Sequence, residues 1–257
     1  MRGVYLAQPL ICHNVGVKTE NDNELIATIR NWAAELGFQD IGFTGVDLGA
    51  HEGYLHKWLD AGYEGTMDWM ARHGTKRSRP EELVPGTCTV ISCRMDYLPE
   101  AEDSWEVMAS SDKGFISRYA LGRDYHKLIR SRLAKLAERI RTELASGEFR
   151  AFVDSAPVLE RAIAEQAGMG WIAKNSMLIN ESAGSWFFLG EIYTDIPIPH
   201  SEPKREKHCG CRTPFPQACS THSFRWAVTT TSSKIPQTPS CCSLKSPTGT
   251  PTSTTDI

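Results

Sequence analysis

The sequence predicts an α/β fold over residues 21–207, and three observations carry that prediction. Stretches with apolar residues every three to four positions alternate with short continuous apolar runs, the pattern of helices interleaved with strands. The short runs are bounded by Gly, Pro or polar residues, as buried strands are. The most periodic stretch, Tyr125 to Leu144, sets Leu128, Ile129, Leu133, Leu136, Ile140 and Leu144 on one stripe that a helix would bury.

Taken in order, Asp22 or Asn23 can cap a first helix whose apolar face is Leu25, Ile26, Ile29, Trp32, Ala33 and Leu36, and Gly37 stops it. Asp40 to Thr44 is a short strand, and a second helix covers His51 to Ala61. Thr89 to Cys93 follows Pro85-Gly86 and suits a buried strand. After the long helix, Ala151-Phe152-Val153 forms a strand and Pro157 takes the first position of the next helix, where its missing N–H is not needed. Ser185 to Tyr193 is the last strand.

Composition narrows the function classes. The chain has 257 residues, 40% of them hydrophobic, enough to bury a core in one large or two small domains. With 28 Lys and Arg against 31 Asp and Glu the net charge is −3, so any nucleic-acid contact has to be local. No apolar run reaches the about 18 residues of a membrane span. Residues 1–20 lack the ordered regions of a signal peptide and are expected to be a poorly ordered leader. Cys12, Cys88 and Cys93 sit among apolar residues and are expected as buried free thiols of a reducing cytoplasm. The other five cysteines fall in the segment 208–257, where Ser, Thr and Pro dominate and no periodicity survives, so disorder is expected there.

Phe152 to Asp195 holds the densest chemistry. Asp154 follows a strand and precedes a helix, a place where a carboxylate serves as a helix cap, a general acid or both, capping being the commoner use. Gly168-Met169-Gly170-Trp171 either offers an indole to a planar partner or buries it in a helix-end turn. Lys174, Asn175 and Ser176 put a cation, an amide and a hydroxyl in one loop, which favours ligand or phosphate contact. Upstream, Arg72 to Pro80 is a basic run that is either a solvated loop or a phosphate-binding patch. His126 has no partner at metal-site spacing, and no dinucleotide, Walker A or zinc-protease motif is present.

Five segments together resemble the epoxyqueuosine reductases: RHGTKRSRPEELVPGT (72–87), SRYALGRDYHKLIRSRL (117–133), VDSAPVLERAIAEQAGMGWIAKNSMLIN (153–180), GSWFFLGEIYTD (184–195) and HCG (208–210). The family is one of cobalamin-dependent iron–sulfur enzymes that finish queuosine synthesis on tRNA. The resemblance implies a mixed-sheet cobalamin-binding domain related to reductive dehalogenases. It implies reduction of an epoxide on the wobble nucleoside to an alkene, with two electrons and two protons consumed and water released. It assigns the proton to Asp154, which would need burial over the corrin face to stay protonated. It makes Arg77, Ser117, Arg118, Tyr125, His126, Lys174, Asn175 and Ser176 candidates for corrinoid or tRNA contact. Arg72, Lys76, Arg77, Arg79 and Arg161 would add local positive potential for tRNA. The partners implied are tRNA bearing epoxyqueuosine and an external electron donor, in a cytoplasmic monomer with no membrane.

The family writes Gly-Lys-Asn-Thr where this chain has Ala173-Lys174-Asn175-Ser176, and Ala173 would resist a positive φ. The larger departure is at the cysteines. The family continues into two four-cysteine sets for [4Fe–4S] clusters, whereas here Cys209, Cys211 and Cys219 are followed only by Cys241 and Cys242. Cys209 is then the remnant of a cluster motif, and residues 208–257 are expected to be the remnant of a ferredoxin-like domain read out of frame. Two other readings stay open: a non-catalytic corrinoid- or tRNA-binding fragment, and a flavin oxidoreductase of related fold.

Overall fold

A computed structural model describes residues 20–98 and 102–203. The leader before them and the segment 208–257, with Cys209, lie outside the described residues. Four strands, β1 (Asp40–Thr44), β2 (Thr89–Asp96), β3 (Phe149–Phe152) and β6 (Phe187–Thr194), form one sheet in the order β1-β2-β6-β3. A two-stranded hairpin, β4 (Trp171–Ile172) with β5 (Leu178–Ile179), stands beside it. All three pairings of the main sheet are antiparallel, so the expected mixed sheet is corrected. Alternation of helices and strands in sequence does not itself fix strand direction. Here β2 and β6, the two long central strands, run opposite ways and bring distant segments together.

Helices α1 (Glu20–Glu35) and α5 (Tyr125–Leu144) cover one face of the sheet. Ile29 and Ala33 from α1, and Ile129, Leu133, Leu136 and Ile140 from α5, meet Ile41, Phe43, Ile91 and Ile192 in one core. Leu128, expected on that stripe, is exposed instead. Gly190 on β6 lets α5 approach, because a Cβ there would come within 2.8 Å of Ile129 and Leu133. The opposite face is covered by α6 (Glu160–Gln166), whose Ala162 and Ile163 pack with Val90, Phe152 and Tyr193 while Ala164 packs with Leu189. The period of two along β6 therefore points Leu189, Glu191 and Tyr193 towards α6 and Phe188 and Ile192 towards α5.

Several local signals act as expected. The strand Asp40–Thr44 and the helix Tyr125–Leu144 match their sequence bounds, and α2 covers Ala50–Asp60. Asp124 caps α5 by accepting the His126 backbone N–H at 3.0 Å. The region after β3 differs. Pro157 does not begin a helix; it follows the turn Val153–Ala156 and is spanned by the bond from Val158 N–H to Ala156 O at 2.9 Å, and α6 starts three residues later with Leu159 as an uncapped boundary. Its fixed φ shapes the turn instead. Short helices α3 (Pro80–Leu83) and α4 (Ser104–Ala109) and three single 3₁₀ turns complete the described elements. Cys93 is the buried free thiol expected, whereas Cys88 is only half-buried. Among the described residues no helix is long and apolar enough to cross a membrane.

Candidate active site

The turn after β3 presents Asp154 at the end of the sheet, opposite the first turn of α5. Tyr125 Oη donates to Asp154 Oδ2 at 2.6 Å, and His126 Nε2 lies 2.9 Å from Asp154 Oδ1. The other ring nitrogen of His126 lies 3.0 Å from Asp124 Oδ1. The helix cap thus also fixes the imidazole, and the imidazole and phenol together fix the Asp154 carboxylate. Asp154 makes no helix-cap bond, which removes the capping reading.

An aromatic wall stands behind this group. The Tyr125 ring stacks on Phe188 at 3.9 Å with an 8° interplanar angle, and on His126 at 4.0 Å. Tyr97 lies 4.4 Å from Phe188 and meets Trp186 edge-on at 6.1 Å. A small cleft opens in front, lined by Tyr125, Asp154, Glu160, Arg161, Met177 and Phe187 to Leu189 among others. Removal from water, and then the bond to Asp154, push the Tyr125 phenol well above its ordinary value, so it stays a donor.

Two further carboxyls lie next to Asp154. Glu160, the first residue of α6, shares the cleft wall; desolvation, and then the Asp154 charge, push it up to about 7 against the pull of Arg161. Glu191 is fully buried on the α6 face of β6, paired in register with Ser92 and Phe152. Among the described residues neither of its oxygens has a hydrogen-bond partner, nor does the buried Ser92 hydroxyl. Burial, with Glu160 and Asp154 near it, pushes its carboxyl far up, so Glu191 is a neutral acid.

The sequence candidates divide sharply. Tyr125, His126 and Asp154 come together. Lys174, Asn175 and Ser176 form the exposed tip of the β4–β5 hairpin, tethered to the cleft where Arg161 Nη1 donates to the Ser176 carbonyl. The positive φ in that tip falls on Ser176 (63°), not on Ala173. Trp171 is buried, so its indole is core rather than a platform for a planar partner. Arg77 is buried too, donating to the Met70 and Trp69 carbonyls and lying over the Trp69 ring; it does not reach the cleft. Arg118 donates to the Glu102 carbonyl and to Ser104, and Ser117 is exposed at a turn; neither lines the cleft. Of the basic run, Arg79 is held by Glu52 and Glu82 at 2.8 Å each, which leaves Arg72 and Lys76 as its exposed cations. Among the described residues no cluster of three or more His, Cys, Asp or Glu is placed to hold a metal ion.

The family model described as epoxyqueuosine reductase QueG, DUF1730, matches residues 77–155. The epoxyqueuosine reductase of Pseudomonas aeruginosa is 57% identical over 200 residues, 78% of this chain and 55% of that protein. The chain belongs to the epoxyqueuosine reductase family. It spans about half the length of the curated relatives that it matches. Among solved members of the family, the Bacillus subtilis epoxyqueuosine reductase, with an aspartate-bearing catalytic loop swung out of its active site, superposes with a TM-score of 0.66 at 27% identity. That match covers 75% of this chain and 50% of the other. An epoxyqueuosine reductase with an epoxyqueuosine-modified tRNA stem loop superposes with a TM-score of 0.64 at 26% identity, over 74% of this chain and 50% of the other.

Within this family fold, the sequence reading missed Glu160 and Glu191. Glu160 looked like an ordinary acid in a first helical turn. Glu191 carried a signal: it is the one charged residue in the strand Phe187–Thr194, on an otherwise apolar face.

Proposed function

We propose that this chain carries the acid-bearing part of an epoxyqueuosine reductase, acting on the wobble nucleoside of tRNA. The observation that carries the reading is Asp154 held on both oxygens, by Tyr125 and His126, in a cleft with an aromatic wall. The reaction reduces an epoxide to an alkene and releases water. Asp154 stands where it can give a proton to the epoxide oxygen. Tyr125 and His126 hold its geometry, and the exposed edge of His126 gives a path for reprotonation from solvent. The side chain of Asp154 is itself more than a third exposed, so the burial expected over a corrin face would have to come from what binds there.

The residues fit a corrinoid. A flat, largely apolar ring needs flat apolar walls, and Tyr97, Tyr125 and Phe188 supply one. Met177 and Trp186, both near 40% exposed at the cleft and beside Tyr97, supply apolar surface that the bare chain leaves in water. When bound, the corrinoid would supply a cobalt centre able to pass electrons to substrate. Iron–sulfur clusters would belong to the cysteine-bearing segment outside the described residues, so the electrons enter this proposal from an external donor. Lys174 on the hairpin tip and Arg161 in the cleft wall, with Arg72 and Lys76 on the basic run, provide the local cations for an RNA backbone.

Adding cobalamin to the purified chain and recording its visible spectrum tests the cofactor half of the reading. The expected result is a protein-bound corrinoid spectrum that weakens when Phe188 and Tyr125 are replaced by Ala. A chain that leaves the cobalamin spectrum unchanged, or that purifies with a tightly held flavin, contradicts it.

A further inference from the structure

The overall reaction takes up two protons, yet a single aspartate supplies one per turnover unless it is recharged mid-reaction. Both Asp154 oxygens are already engaged, with Tyr125 and His126. Glu160 lines the same cleft, is half-buried, and is held by no hydrogen bond to a described side chain. The far end of its helix is pressed against the sheet: a Cβ on Gly42 of β1 would come within 2.3 Å of the Ala167 carbonyl. Behind Glu160, Glu191 is buried with both oxygens unpartnered.

We propose that Glu160 is a second catalytic acid of the reaction, giving the proton that turns the departing oxygen into water. This rests on the reductase reading above. Two electrons from a low-potential one-electron donor enter the substrate. Asp154 protonates the epoxide oxygen as the first C–O bond breaks, leaving a hydroxyl. Glu160 protonates that hydroxyl as the second C–O bond breaks, the alkene forms and water leaves. Both carboxylates then recover protons from solvent, so atoms and charge balance over the cycle.

The surroundings of Glu160 suit the role. Asp154 and Tyr125 face it across the cleft, Arg161 follows it on α6, and Glu191 lies beneath on β6. Glu191, neutral in its apolar place, adds no charge beneath it, so Asp154 and Arg161 are the charges that act on Glu160. Near neutral pH the Glu160 carboxyl is therefore divided between its two forms, the condition under which an acid gives and regains a proton readily.

The test uses the full chain with cobalamin, a chemical one-electron reductant and an epoxyqueuosine-bearing tRNA stem loop, in wild type, Glu160→Gln and Asp154→Asn. The expected Glu160→Gln result is a fall in kcat of between about 10² and 10⁴ with KM little changed, and loss of the limb of the pH profile that falls through neutral pH. In parallel, glutamate carrying carbon-13 at its side-chain carboxyl should show one resonance titrating near neutral pH that disappears in Glu160→Gln and moves to lower pH in Asp154→Asn. Wild-type kcat in Glu160→Gln, with Asp154→Asn inactive, overturns this assignment and leaves the reductase reading intact. A wild-type chain that binds cobalamin and stem loop but gives no product overturns both.

Discussion

Tyr125 Oη donates to Asp154 Oδ2 at 2.6 Å while the same ring lies flat on Phe188 at 3.9 Å. One side chain therefore couples the polar and apolar walls of the cleft. Removing only the hydroxyl, as Tyr125→Phe, keeps the stack and frees one carboxylate oxygen. A hydrogen bond to a charged group is worth about 1.5–3 kcal/mol, so turnover should fall by roughly 10- to 100-fold while corrinoid binding is retained. Parallel turnover and cofactor titrations check this; equal losses in both would mean that the phenol serves binding alone.

Glu191 should make the fold less stable as pH rises. Its folded value lies above the unfolded value of 4.5, so the native state holds a proton that the unfolded state has lost. Stability is then greatest below about pH 4.5 and falls by up to about 1.4 kcal/mol per pH unit above it, until the folded carboxyl itself ionises. Glu160 adds a smaller loss of the same sign between 4.5 and about 7. Glu191→Gln, a neutral group of the same shape, should flatten this slope and raise Tm at pH 8. Thermal unfolding across pH measures it; an unchanged slope would show that Glu191 is ionised in the fold.

Gly42→Ala should destabilise the fold and disturb Glu160 together. The added methyl meets the Ala167 carbonyl at 2.3 Å, so α6 must shift away from β1. Overpacking of this kind costs about 1–3 kcal/mol. Denaturant unfolding gives the cost, and the carboxyl resonance of Glu160 should move with it.

Arg79 holds Glu52 and Glu82 at the basic run, and with Ser78 it lowers the Glu52 carboxyl to about 2. The stability from this contact is present above the unfolded value of 4.5 and disappears as pH falls through about 2. Arg79→Ala should therefore lower Tm at neutral pH and have no effect in strong acid. It should also leave stem-loop binding nearly unchanged, since Arg79 is already paired. A large loss of RNA affinity in that variant would show that the pairing opens on binding.

The local parts of this molecule were legible in its sequence. The stripe from Ile129 to Ile140 and the strand Asp40–Thr44 both follow from spacing and end signals within a few residues. The direction of the strands was not, because β2 and β6 pair across about ninety residues and their periodicity is the same whichever way they run. The site was half legible. Asp154, Tyr125 and His126 were named, but nothing local says that the turn after β3 meets the start of α5. Arg77 was misplaced because a buried arginine satisfied by backbone carbonyls looks, in sequence, like any other member of a basic run.

Single-turnover conversion of an epoxyqueuosine-bearing tRNA stem loop by cobalamin-loaded wild type and Asp154→Asn tests the central claim most directly. Wild type should give the alkene product, and Asp154→Asn should keep corrinoid binding with a rate lower by at least about 10²-fold. Product formed by Asp154→Asn at the wild-type rate would contradict it.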